Sequence, residues 1–309
     1  MAALYISIIL LFRVVQAVFN KMASNEVKNI PTVLVYGAYR NAISAAFGLM
    51  LVLISGNGFG LGATGLLISL CSGVMLSVSG YCGIMCLKTG TVSVSSIFST
   101  AGILIPIIAG VFFGIPVSAV QCVGLALFFV SAFLLIRDSR NTTGKFTAGA
   151  FFLLVGCLFA EGLTMLSQQA FTKYVPDGSI SAFSFITFCI AALSNLIMFA
   201  FFRKKKTAVP GNDKPESSDP AVSHSQPVRL SRRLTVCGVA LAVAVFVINQ
   251  LATMSTALVP PVILFTFING GGAVISTVVA AIMYKEKLTP QKIAGVAVGI
   301  ASLVIVKMF

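Results

Sequence analysis

Basic residues fill every second gap between the apolar runs of this chain, and the gaps between are almost free of charge. Seventeen of the 21 Lys and Arg residues follow this rule. They are Lys21 and Lys28; Lys88; Arg137, Arg140 and Lys145; Arg203 to Lys206, Lys214, Arg229, Arg232 and Arg233; and Lys285, Lys287 and Lys292. The intervening gaps hold only Lys173, and Lys307 lies at the C-terminus. Such alternation is the mark of a chain that crosses a bilayer repeatedly with one fixed orientation, because cationic loops stay on the cytoplasmic side. The odd gaps are therefore expected in the cytoplasm and both termini outside. The longest gap is weak evidence by itself, yet without it the alternation persists.

The apolar runs agree. The chain has 309 residues, 58% of them hydrophobic and 9% charged. About 20 apolar residues span the hydrocarbon as a helix. Ten spans are expected, near 3–20, 32–54, 63–81, 91–113, 117–136, 147–167, 180–202, 234–256, 260–283 and 290–308. Gly114-Ile115-Pro116 and Val259-Pro260-Pro261 are too short to hold a domain, so successive spans are antiparallel neighbours in one bundle. A net charge of +13 raises nucleic acid as a partner. The cations sit at span ends and in one linker rather than on a folded face, so the expected partners are the lipid bilayer and a small-molecule substrate, with no nucleic acid. Nothing indicates an oligomer, and a monomer is favoured. The N-terminus has no basic n-region or small-residue cleavage site, and Arg13 interrupts its apolar run, so it reads as the first span.

Residues 203–232 form the one polar stretch, with Pro210, Gly211, Pro215, Pro220 and Pro227 among charges of both signs. It is expected to be a disordered cytoplasmic linker. It divides the chain into halves of five spans, 1–146 and 147–309, and an odd number of spans inverts the second half. Faint internal matches follow the same division. Phe19-Asn20-Lys21 resembles Phe171-Thr172-Lys173, and Gly124-Leu125-Ala126 with Ser131 resembles Gly295-Val296-Ala297 with Ser302. The expected fold is all-α: ten transmembrane helices as two inverted five-helix repeats around a central cavity.

Two cations lie inside spans. Arg13 and Arg40 fall near the midplane at about 1.5 Å per residue. A charge there costs several kcal/mol unless it faces water or a partner. Gln16 lies one turn from Arg13, and Tyr36 and Ser44 lie one turn either side of Arg40, so both arginines occupy polar faces. A structural cation bonded to helix carbonyls is the alternative. Glu161 is the one acid well inside a span. It can carry a coupling proton, form a static pair with Arg13 or Arg40, or face outward at a helix end. Asn249, Gln250 and Asn269 add polarity to the eighth and ninth spans. Gly270-Gly271-Gly272 weakens the ninth helix at mid-depth, either as a hinge beside a cavity or as a close-packing surface. Pro106 is placed to kink the fourth span.

Other signals are weaker. The seven cysteines, Cys71, Cys82, Cys86, Cys122, Cys157, Cys189 and Cys237, sit in or beside apolar runs and read as small hydrophobes. Gly60 to Gly65 spells a dinucleotide fingerprint without a surrounding βαβ unit. The one histidine, His224, is in the linker. No span pairs carboxylates or sets a nucleophile beside a base, so no enzyme chemistry, metal or cofactor is expected.

Cys86-Leu87-Lys88-Thr89 with Val92-Ser93-Val94, Pro106, Arg40, and Tyr284-Lys285-Glu286-Lys287-Leu288 followed by Gly295 together resemble the drug/metabolite transporter superfamily, EamA-type. The chain departs from that pattern in having no tryptophan and in carrying Gly114-Ile115-Pro116 where a second Glu is common. The resemblance implies a cavity lined by spans one to four and six to nine, with spans five and ten as scaffold. It also implies movement of small metabolites by alternating access. Three functions are carried forward. The first is a secondary transporter for a polar metabolite bearing a carboxylate or phosphate, with Arg13, Gln16, Tyr36, Arg40, Asn249, Gln250 and Asn269 at the substrate. The second is a proton-coupled exporter of cationic or lipophilic drugs through Glu161. The third is a membrane-embedded enzyme or accessory subunit.

Overall fold

Hydrocarbon cannot bond backbone amides, so a chain this apolar satisfies them within its own helices. The computed structural model describes residues 2–56, 58–89, 99, 101–112, 118–143, 148–207, 230–283 and 289–308. Among these residues all regular structure is helical. In order they are α1 (Ala2–Glu26), α2 (Ile30–Ser55), α3 (Gly62–Thr89), α4 (Leu104–Phe112), α5 (Ala119–Thr143), α6 (Ala148–Tyr174), α7 (Ile180–Thr207) and α8 (Arg232–Thr256). Then come α9 (Pro261–Phe265), a π-helical turn (Thr266–Gly270), α10 (Gly271–Met283) and α11 (Pro290–Met308). Seven helical stretches among the described residues are long and apolar enough to cross a bilayer. Their outward faces carry exposed Leu53, Ile54, Phe152 and Ile282, each 69–74% exposed, which water would not tolerate at this density. The chain is an all-α, multi-pass integral membrane protein.

Local chemistry sets the helix ends. Asn29 caps α2 by accepting from the Thr32 amide at 3.0 Å, with Pro31 in the first turn. Gly56 ends α2 in the left-handed region at φ 65°, its amide donating to Val52 O. Ser231 caps α8 through the Leu234 amide. Several helices run past their apolar stretches, because interfacial lysines find backbone acceptors there. Lys21 Nζ donates to Leu87 O at 3.0 Å and Lys88 Nζ to Lys28 O at 2.7 Å. Arg233 lies 3.6 Å from Glu26. These contacts gather the basic ends of α1, α2, α3 and α8 at one end of the bundle. At the other end Val52, Leu61, Phe171 and Phe183 form a core, with Phe171 and Phe183 stacked at 4.3 Å.

Helix pairs with extensive contact are α2 with α7, α5 with α11, α3 with α6, and α1 with α8. The α5–α11 pair is joined by two reciprocal bonds. Ser131 Oγ donates to Gly295 O at 2.6 Å, and Ser302 Oγ donates to Gly124 O at 2.7 Å. The helical stretch from α9 to α10 is broken by the π turn rather than unwound. Gly270 closes that turn, and Gly271 starts α10 at φ −58°. The chain turns at Gly102-Ile103, and α4 begins just before Pro106. Proline lacks an amide proton, so it sits in the first turn of the restarted helix without losing a bond. Most of linker 203–232, the segment 91–98 and Tyr284–Leu288 lie outside the described residues.

Glycine supplies the closest approaches. A Cβ on Gly73 would stand 2.6 Å from Thr187 O and 2.7 Å from Ile190 of α7, whereas one on Gly83 would meet nothing within 4 Å. Gly73→Ala is expected to lose about 1–3 kcal/mol through overpacking. Gly83→Ala is expected to be neutral, or stabilising by up to about 1 kcal/mol through helix propensity. Thermal unfolding of the purified variants in detergent checks both.

Candidate functional site

Five helices turn polar stripes toward one another. On α1 the stripe is Arg13, Gln16 and Asn20; on α6 it is Glu161, Thr164 and Gln168. Both follow the three- and four-residue spacing that puts side chains on one helical face. α3 contributes Ser79 with Gly80 and Gly83, α8 contributes Asn249, and the broken stretch from α9 to α10 contributes Asn269, Gly272 and Ser276. They line a cavity of about 150 Å³, room for on the order of ten waters or a small polar solute. α2 enters the lining through Arg40 alone.

The charges lie close together. Arg13 Nη1 donates to Gln16 Oε1 at 2.8 Å, and Nη2 donates to Asn269 Oδ1 at 2.9 Å. Glu161 Oε1 stands 3.9 Å from Arg13 Nη1, and its other oxygen accepts from Ser79 Oγ. Asn269 in turn donates to Met165 Sδ at 3.2 Å, which ties the π turn to α6. A π turn shifts the register of the ninth span by one residue, and here that break carries Asn269 beside Arg13. Arg40 is 4% exposed and donates through Nε and Nη2 to Asn41 Oδ1, at 3.3 and 3.2 Å. With all three groups ionised the cavity carries +1.

Of the residues picked out in the sequence, Arg13, Gln16, Arg40, Asn249, Asn269, Gly272 and Glu161 line this cavity. Tyr36 and Gln250 do not. Tyr36 is fully buried among Val33, Ile84, Leu234 and Leu241, because the one-turn spacing from Arg40 also points at the α8 interface. Gln250 faces α7, accepting from Ser184 Oγ at 2.6 Å and donating to Ser181 Oγ, since it lies about 100° around the helix from Asn249. Gly271 and Gly272 pack against Leu10 and the Arg13 stem of α1. Pro106 is buried in α4 outside the lining. Gln168, which donates to Asn249 Oδ1 at 2.8 Å, went unremarked in the sequence, although two turns from Glu161 it shares that face. Ser79 carries no sequence signal, because serines occur throughout α3.

No protein-family model matches the chain, and no curated protein does. The fold has counterparts among solved structures, however, with 28 matching chains. One, described only as a crystal structure of a protein, superposes with a TM-score of 0.61 at 12% identity, covering 99% of this chain and 96% of that one. At that identity the likeness speaks for the fold alone.

The Arg13–Glu161 pair is mostly enclosed, so unpairing it leaves a charge in low dielectric. Glu161→Leu is expected to destabilise the protein by about 1–3 kcal/mol. Arg13→Met with Glu161→Leu should recover a substantial part of the loss. Melting temperatures of the two single variants and the double variant form the cycle that checks this.

Proposed function

We propose that the protein is a secondary transporter that moves a small anionic metabolite, bearing a carboxylate or phosphate, across the cell membrane by alternating access. The observation that carries this reading is a polar cavity inside a lipid-facing bundle, holding two guanidinium groups against one carboxylate. A chamber with two guanidinium groups and one carboxylate favours an anion, and arginine suits both carboxylate and phosphate because its planar fork can hold either bidentately. A cation exporter needs an acid free to take up its load. Glu161 already accepts from Ser79 and faces Arg13, which favours the anion.

Ten spans in two inverted halves suit this mechanism, and the packing supports that arrangement. Let the broken fourth span be α4 and the broken ninth α9–α10. Exchange of the halves then maps α3–α6 contact onto α8–α1, α3–α7 onto α8–α2, and α4–α6 onto α10–α1; all six contacts occur. The α2–α7 and α5–α11 pairs map onto themselves, as do the reciprocal Ser131 and Ser302 bonds. The breaks at Gly102-Ile103 and Thr266–Gly270 fall at corresponding places. Rocking one such half against the other exposes a shared site to each side in turn. With the basic ends of α1, α2, α3 and α8 in the cytoplasm, both termini lie outside and 203–232 inside. The repeat accords with the drug/metabolite transporter resemblance, whereas outward termini depart from it, since members of that superfamily are often drawn with cytoplasmic termini.

A thermal-shift screen of carboxylates, amino acids and phosphate esters on purified protein is expected to find ligands among anions, because a bound ligand raises the melting temperature. In proteoliposomes, uptake of the best ligand should fall about a hundredfold or more in Arg40→Ala, the loss of one buried charge contact. Full uptake by both Arg40→Ala and Arg13→Ala would remove the arginines from the site.

A further inference from the structure

The two arginines are held differently. Both terminal nitrogens of Arg13 already donate, to Gln16 and Asn269, and Glu161 supplies its counter-charge at 3.9 Å. Arg40 bonds one neutral oxygen, Asn41 Oδ1, through Nε and Nη2. Among the described residues no carboxylate lies within 4.0 Å of it. A guanidinium has five N–H groups, and each arginine commits two of them, with Arg13 Nε buried and unpartnered, so the difference between them lies in the nearby counter-charge and not in the donor count. A buried cation so placed is costly unless a counter-ion arrives.

The route by which Arg40 reaches the cavity is specific. α2 stands behind the cavity wall, packed on α7, α8 and α3, with Ser44 Oγ donating to Ala242 O of α8 at 3.0 Å. The Arg40 guanidinium reaches the lining beside Gly80 of α3. A Cβ there would stand 2.5 Å from Arg40 Nη2, closer than side-chain atoms approach. A side chain at position 80 would displace the guanidinium from this position. The three atoms nearest to that Cβ all belong to the Arg40 guanidinium, so the glycine makes room for this group.

We propose that Arg40, admitted to the cavity through the gap at Gly80, is the group that takes the anionic moiety of the substrate, and that Arg13 does not take it. Arg13, neutralised by Glu161 and tied to the π turn through Asn269, positions the ninth span against α1 and α6. Gly80 becomes the residue that makes the site anion-selective. The proposal rests on the transport reading for the word substrate, but its anion subsite is testable without transport.

The experiment is arginine modification by phenylglyoxal on the full-length protein in detergent, read peptide by peptide by mass spectrometry. Inorganic phosphate and acetate serve as phosphate and carboxylate probes. Arg40 should be modified about tenfold more slowly with saturating probe, a shift of about 1.4 kcal/mol, while Arg13 changes little. In Gly80→Ala that protection should disappear. Should Gly80→Ala fail to fold, Arg40→Met replaces it, and the melting-temperature rise that phosphate gives the native protein should be lost. Protection of Arg13 instead of Arg40, protection unchanged in Gly80→Ala, or a phosphate-induced rise retained in Arg40→Met would each overturn the proposal. Protection at Arg40 together with no anion uptake in proteoliposomes would leave the subsite standing and refute the transport reading.

Discussion

Everything in this bundle is arranged around the cost of holding charge away from water. Two guanidinium groups and one carboxylate sit where hydrocarbon would otherwise be, and each would cost several kcal/mol unaccompanied. The cost is offset by packing five polar stripes around a shared hollow, so that Arg13 finds Gln16, Asn269 and Glu161 while Glu161 finds Ser79. The outer helices then need no polarity, and their faces are free to be as apolar as lipid.

The same constraint explains the irregular backbone. A straight ninth helix would spread its polar residues around the axis. The π turn at Thr266–Gly270 redirects Asn269 toward both Arg13 and Met165. Glycines at 271 and 272 then let the restarted helix lie against Leu10 and the Arg13 stem. On the opposite wall Gly80 performs a related task for a longer reach, admitting a side chain from a helix that otherwise has no access. Small residues thus act at this site by deciding which charged group can enter the cavity.

Much of the cavity lining follows from helical spacing, and the residues that fall outside it do so for a common reason. Arg13, Gln16, Arg40, Glu161, Asn249 and Asn269 stood out because a polar group in a span demands a partner. Tyr36 and Gln250 stood out for the same reason, yet their partners are other helices rather than the cavity. Spacing along one helix says which residues share a face; it does not say what that face meets. Gln168 was accessible to the same spacing argument, being two turns from Glu161. Ser79 was not, because its significance comes from a carboxylate on another helix.

The sequence by itself determined that this chain is helical and membrane-embedded, because apolar length and charge placement act locally and need no knowledge of neighbours. It also marked the buried ionisable residues, whose cost is a property of depth alone. The tertiary structure decided how the charges are shared: Glu161 beside Arg13, Arg40 beside neutral Asn41, and Gly80 as the opening between α2 and the cavity. Those outcomes depend on distances of a few ångströms between helices far apart in the chain. No periodicity along a single helix encodes such distances.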